Sequence, residues 1–322
     1  MTRLGYQIPN FTYPGIASNN IFQNVITQAQ AAEAAGYDRV FFMDHFYQLP
    51  GIGAPDEPML ECYSMLSALA QHTQKVRLSA LVTGNSYRNP ALLAKTLTTL
   101  DHVSNGRASL GIGCGWFEQE HVDLGFEFGT FSERFEKLEE ALQIIIPMLR
   151  SECPTLSGKY YRVNEAINSP APVSRIPIMI GGQGEKKTLR MVAQYADESN
   201  LVGNNADIPR KLEALAEHCE RLSRDRSEIK MTKLQMIAVA PTREALHADF
   251  REIAEVKGWG DAHIEMAKST LICGDPDTVG EILQDAVAMG LDGLTVDLPI
   301  NGHNPDRIGL LAEIVDKILP PG

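Results

Sequence analysis

Short apolar runs recur along this chain with a helical stretch between one and the next, and that alternation limits the fold more than any other feature. The runs are RLGYQIP (3–9), RVFFM (39–43), KVRLSALVTG (75–84), RASLGIGCG (107–115) and IPIMIGG (176–182), with others near 197–202, 232–240 and 293–298. Strands apolar on both faces belong inside a parallel sheet, and parallel neighbours need crossover connections, usually helical. Helices are expected over 20–35 (ending at Gly36), over 60–72, after Pro90 and over 131–149. Eight such strands predict an α/β fold closed as a (β/α)8 barrel, with helices covering the outer face. An open doubly wound sheet is the competitor, but it usually carries a Gly-x-Gly-x-x-Gly turn after its first strand, and here that turn is absent. No repeat or linker divides the chain, so residues 1–322 are expected as one domain. The longest irregular stretch, 150–176, exceeds ordinary connections and reads as an insertion over the carboxyl face.

Composition removes several classes of function. The chain has 41 Asp and Glu against 29 Lys and Arg, a formal net charge of -12, and no basic cluster of the kind that phosphate backbones require. Nucleic acid is therefore not an expected partner. The opening MTRLGYQIPNF lacks the apolar core of a signal peptide, and no window approaches a membrane span, so a cytoplasmic location is expected. Cys62, Cys114, Cys153, Cys219 and Cys273 lie far apart with no His at ligand spacing, which supports neither disulfides nor a metal site.

A barrel of this kind builds its site at the carboxyl ends of its strands. The second strand ends on Asp44 and His45; the third on Thr83, with Asn85 and Arg88 beyond it; the fourth on Gly113, Cys114, Gly115 and Trp116, followed by Glu118, Glu120 and His121. Asp44 and His45 read either as a turn cap beside a core histidine or as a catalytic pair. Glu118 and Glu120, taken singly, read as solvated loop charges. The turn GGQGEKKT (181–188) feeds a helix, so its backbone amides and the helix dipole suit a phosphate, or it is simply a tight strand-to-helix turn. The glycines of GIGCGW (111–116) either accommodate bulky neighbours or leave room for a planar ligand.

Taken together, these residues resemble the bacterial luciferase-like flavin and deazaflavin oxidoreductases, most closely the actinobacterial branch that uses coenzyme F420. The resemblance rests on MDHF (43–46), NPALLAKTLTTLDHVSNGRASLGIGCGW (89–116), SERFEKLEEAL (132–142), SGKYY (157–161), IPIMIGGQGEKKTLRMVAQYADESNL (176–201) and GDPDTVGEILQDAVAMGLDGLTVDLP (274–299). It implies a TIM barrel of the luciferase-like type, holding the cofactor ring over the strand ends and its phosphate on Gly181, Gly182 and Gln183. It further implies a non-prolyl cis peptide between Ala80 and Leu81, a bulge behind the ring, and Thr83 beside it. Gly113, Cys114, Gly115 and Trp116 complete the ring's surroundings. His45 is implied as the proton-transfer residue and Asp44 as the group that holds or polarises it. Sugar-phosphate and alcohol dehydrogenases of this likeness place a glutamate where Trp116 stands, so Glu118 becomes the candidate replacement. The implied activity is hydride transfer between F420 and a small organic substrate, in a homodimer. The alternatives are an FMN-dependent monooxygenase served by a reductase partner, a deazaflavin-binding protein with little turnover, and a cofactor-free lyase or isomerase.

Overall fold

A computed structural model describes residues 3–319. Eight parallel strands form a barrel: β1 (Leu4–Ile8), β2 (Arg39–Phe42), β3 (Arg77–Ala80, resumed at Thr83–Gly84), β4 (Leu110–Gly113), β5 (Ile178–Gly181), β6 (Glu198–Leu201), β7 (Lys230–Val239) and β8 (Gly293–Asp297). The order runs β3-β2-β1-β8-β7-β6-β5-β4. It closes where Leu78 N donates to Arg107 O (2.9 Å), Ser109 N donates to Leu78 O (3.0 Å), and Thr83–Gly84 pairs with Ile112–Gly113. The expected (β/α)8 barrel is therefore the observed fold.

Local sequence explains the helices that wrap it. Asn89 caps Pro90–Val103 by accepting from Ala91 N and Leu92 N, and Pro90 occupies a first-turn position where a missing N–H has no consequence. Leu93, Leu97 and Leu100 then fall on one buried face. Each such leucine contributes about 1.5–3 kcal/mol by leaving water. Thr130 and Glu133 form a reciprocal capping box that starts Phe131–Leu149. Gly36, at φ 85°, turns the chain out of Ile21–Ala34.

Side chains alternate along each strand. On β8, Leu294 and Val296 pack outward into the main core, while Thr295 points inward, where its hydroxyl accepts from Asn200 Nδ2 at 2.8 Å. Deep in the barrel, Arg39 and Glu198 form a buried bidentate pair at 3.2 and 2.9 Å.

Three details depart from the sequence reading. Residues 118–124 form a helix (Glu118–Leu124) rather than a loop, and Ile272–Gly274 adds a strand against the far end of β7. The 150–176 segment does not lie over the carboxyl face. It climbs the outside as a hairpin, Leu156–Ser157 with Arg162–Val163, that Glu140 anchors by accepting from Lys159, Tyr160 and Tyr161 amides. Tyr161 reaches the strand ends through Asn85 (3.4 Å), after which the chain descends beside Pro90–Val103 through Asn168, Ser169 and Ala171. Lys95, Thr98 and His102 on that helix bond to the segment along this path. Among the described residues no helix is long and apolar enough to cross a membrane, and no three His, Cys, Asp or Glu side chains are grouped to hold a metal.

Candidate active site

Asp44 and His45 point to opposite sides, as successive residues leaving a strand must. Asp44 is buried. It accepts from Gly84 N at 3.0 Å and meets Arg88 in a bidentate pair at 2.8 Å on both oxygens. Arg88 also reaches Glu61 at 2.6 Å and lies over the Tyr63 ring, 4.9 Å from its centroid. Burial, with Glu61 adding to it, pushes the Asp44 carboxyl above its ordinary range despite Arg88 and the Gly84 amide. Asp44 thus ties the end of β2 to the residues following β3 and does not hold His45.

His45 is held by Glu120. Its Nδ1 lies 2.9 Å from Glu120 Oε2, and the same carboxylate accepts from Phe46 N (2.6 Å), Tyr47 N (2.8 Å) and the Tyr87 hydroxyl (2.6 Å). Burial alone would raise the Glu120 carboxyl, but His45, Tyr87 and the Tyr47 amide together hold it below its usual range. A carboxylate at this place takes Nδ1–H and leaves Nε2 as the ring atom open to a ligand. Trp116 and Phe117 flank the imidazole edge-on at 5.6 and 5.9 Å. Behind Glu120, His121 bridges Ser86 Oγ (2.7 Å) and Phe117 O (2.8 Å) and stacks on Tyr87 at 4.6 Å. Burial outweighs the Phe117 carbonyl and Glu120 and lowers the His121 pKa, which favours the neutral ring.

The carboxylate beside His45 is Glu120, two residues beyond the Glu118 singled out from the sequence. Glu118 is exposed at the first turn of Glu118–Leu124, whereas Glu120 turns inward with no exposed surface. Both carboxylates look alike as a string. Only the helical turn, which puts residues 118 and 120 on different faces, separates them.

The cis peptide lies between Leu81 and Val82, one bond later than expected. The physical reason is that Leu81 N still pairs with Phe42 O at 2.8 Å, so the sheet ladder runs through Leu81 before the bulge begins. The bulge also explains the glycines. A Cβ on Gly113 or Gly181 would sit 2.9 or 2.7 Å from the Val82 side chain, and one on Gly111 would sit 2.2 Å from Ala80 O. Those three positions accommodate the protein's own bulge. Ala80 is fully buried, and so is Thr83, whose hydroxyl is engaged with Tyr63 at 2.7 Å.

Cys114 is half-buried, its thiol pushed up by burial against the opposing pull of Arg134 and Lys187, and Trp116 is exposed. Gly115, at φ 80°, lets Ser86 approach where a Cβ would be 2.4 Å from its oxygen. At the fifth strand, Gly182 has φ 130°, and its amide already donates to Asn200 O at 3.1 Å. Gln183 and Gly184 beyond it are exposed, and the Gln183 carbonyl accepts from Lys211 Nζ at 3.0 Å.

Comparison with known proteins shows what the chain is similar to. A family model described as luciferase-like monooxygenase matches residues 2–293. An F420-dependent glucose-6-phosphate dehydrogenase of Intrasporangium calvum is 28% identical over 326 residues, covering 92% of this chain and 94% of the relative. A pyrimidine monooxygenase of Acinetobacter baylyi is 29% identical over 185 residues, covering 56% of this chain and 49% of that protein. Among solved structures, an F420-dependent secondary alcohol dehydrogenase in complex with an F420–acetone adduct superposes with a TM-score of 0.79 at 19% identity, covering 98% of this chain and 99% of that one. EDTA monooxygenase from Chelativorans sp. BNC1 superposes at 0.80 with 15% identity, over 99% and 95% of the two chains.

Proposed function

The chain belongs to the luciferase-like monooxygenase family, and from that premise we propose that it is a coenzyme F420-dependent oxidoreductase in which His45 moves a proton while a hydride passes between cofactor and a small organic substrate. The observation that carries this reading is the His45–Glu120 pair, buried at one end and open at Nε2 on the other. Support for the cofactor comes from the F420-dependent relative that matches along nearly its whole length.

The residues at the strand ends fit such a group. Among the described residues, Asn85 Oδ1 and Asp297 Oδ1 are buried there without a partner, and a polar ring satisfies such atoms where packing alone does not. Gln183 and Gly184 offer backbone amides to its phosphate, and Lys187 and Arg134 add positive charge near Cys114 at the end of β4. When bound, the deazaflavin donates or accepts the hydride. The protein's part is placement and proton movement. With Nδ1–H held on Glu120, His45 Nε2 takes a proton from a substrate hydroxyl in oxidation, or returns it to a developing alkoxide in reduction. Glu120 stabilises the imidazolium that forms between those events. Trp116 and Phe117 limit water at the ring edge. The chain acts, in this reading, as a homodimer in the cytoplasm.

Single-turnover measurements on the F420-loaded protein with one carbonyl compound it reduces test the assignment. His45→Ala should keep cofactor affinity and lose the proton-dependent step; unchanged turnover would leave His45 a packing residue.

A further inference from the structure

Asp297 closes β8 inside the barrel mouth, and the proton movement at His45 makes no use of it. Its direction follows from the alternation of the strand: Leu294 and Val296 face the outer core, Thr295 faces Asn200 inside, and Asp297 follows Thr295 by two. It is level with Gln7 on β1 and Met236 on β7. Gln7 donates to Leu81 O at 3.2 Å, so this layer of the barrel also contains the bulge of β3. Asp297 is only 2% exposed, and among the described residues its Oδ1 has no hydrogen-bond partner.

Among the described residues no cation compensates it. Arg39 is committed to Glu198 deeper in the barrel, and Lys233 turns to Gln235 Oε1 and the Leu234 carbonyl on β7. The ionisable groups that sense Asp297 are phenols, Tyr6 from β1 and Tyr13 from the loop beyond it. Tyr6 donates to Gln28 and Tyr13 to Leu298 O, and neither hydroxyl bonds to the carboxyl. An isolated carboxylate in such surroundings gives up its charge by holding its proton, which turns an acceptor into a donor. Burial accordingly pushes the Asp297 carboxyl well above its ordinary range.

We propose that Asp297 is a ligand-recognising carboxylic acid that donates a hydrogen bond to an uncharged carbonyl oxygen of the molecule held in the barrel mouth. Both the cofactor ring and a carbonyl substrate carry that chemistry. The proposal rests on the function assigned above only in its choice of probes, and FMN serves as a parallel probe so that the two can fail separately.

The test is infrared spectroscopy of the full chain at neutral pH, with Asp297→Asn as the reference. The cofactor-free parent should show a buried carboxylic-acid C=O band that Asp297→Asn lacks. Adding F420 should shift that band to lower frequency if the ring accepts; if a substrate carbonyl accepts, the shift should appear only after acetone is added to the F420 complex. In either case Asp297→Leu should weaken the probe that moves the band by about 10–100-fold, the range of one lost hydrogen bond to a desolvated group. Asp297→Asn, which still donates, should stay within several-fold. A shift produced by FMN and not by F420 supports the donor and overturns the F420 reading. A parent without the acid band at neutral pH, or a band that F420, FMN and acetone all leave in place, overturns the proposal and leaves Asp297 a structural residue.

Discussion

Glu120→Gln tests the proton pathway with almost no change in shape. In the parent, Oε1 accepts from two backbone amides and Oε2 accepts from His45 and Tyr87. The glutamine carbonyl can retain the bonds to Phe46 and Tyr47, so the strand end stays in place. Its amide nitrogen, however, now confronts Nδ1 as a donor. His45 must move its proton to Nε2 to accept that bond, and the ring atom facing the ligand becomes a donor where the oxidation direction needs an acceptor. The Tyr87 hydroxyl can rotate to accept, which limits the structural loss to the difference between charged and neutral hydrogen bonds, about 1–3 kcal/mol. The kinetic loss is larger. Removing effective general acid–base catalysis lowers turnover by roughly 10²–10⁴-fold, and a wrong tautomer removes most of it. Cofactor affinity by fluorescence titration, single-turnover rate by stopped flow, and denaturant unfolding on the same variant separate these effects. Turnover within a few-fold of the parent, with stability reduced as stated, would refute the argument and make Glu120 a clamp for residues 46 and 47.

Three further perturbations address other parts of the account. His45→Ala should reduce single-turnover rate by roughly 10²–10⁴-fold with little change in cofactor affinity, and a collapse of affinity at normal turnover per bound cofactor would make His45 a holder of the ring. Gly182→Val forces a β-branched residue to φ 130° beside Thr188, and should weaken cofactor binding strongly while urea unfolding still shows a cooperative barrel; equal affinity would remove the turn from the site. Arg88→Met leaves Asp44 buried without its cation and should destabilise by about 3–5 kcal/mol near neutral pH. Because burial already raises the Asp44 carboxyl, its folded form is favoured below the unfolded value of about 3.9, and that advantage is lost as pH rises through the higher folded value. The deficit of Arg88→Met should therefore grow between mildly acidic and neutral pH, and urea unfolding at both pH values would show a constant deficit if the pair contributes nothing.

The barrel was legible because its cause is local. Apolar runs such as RVFFM and helix signals such as Asn89-Pro90 are written in consecutive residues, and eight repetitions leave few topologies. The site was legible at His45, where a strand ends, and much less so at its partner. Asp44 is adjacent in sequence, yet strand geometry turns it away to Arg88; Glu120 lies 75 residues from His45, and only the fold of Glu118–Leu124 against Tyr87 brings it in. The signal that could have found it is the spacing of Glu120 and His121 within one helical turn, with Phe117 before them to close the face. The glycines show the same limit. GIGCG and IGG suggested room for a ligand, but at Gly111, Gly113 and Gly181 the space is taken by Ala80 O and Val82, a contact that depends on where the β3 ladder stops. Asp297 was invisible for a different reason, since a lone acid in an apolar strand is informative only once its side chain is known to face inward without a partner.

Titration of the purified protein with coenzyme F420 and, separately, with FMN decides which cofactor the barrel holds. F420 binding is expected to be saturable, seen as a change in deazaflavin fluorescence, weakened by Gly182→Val and not by Glu120→Gln, with much weaker FMN binding. Tight FMN binding with no response to F420 would contradict that expectation and assign the His45–Glu120 pair to flavin chemistry.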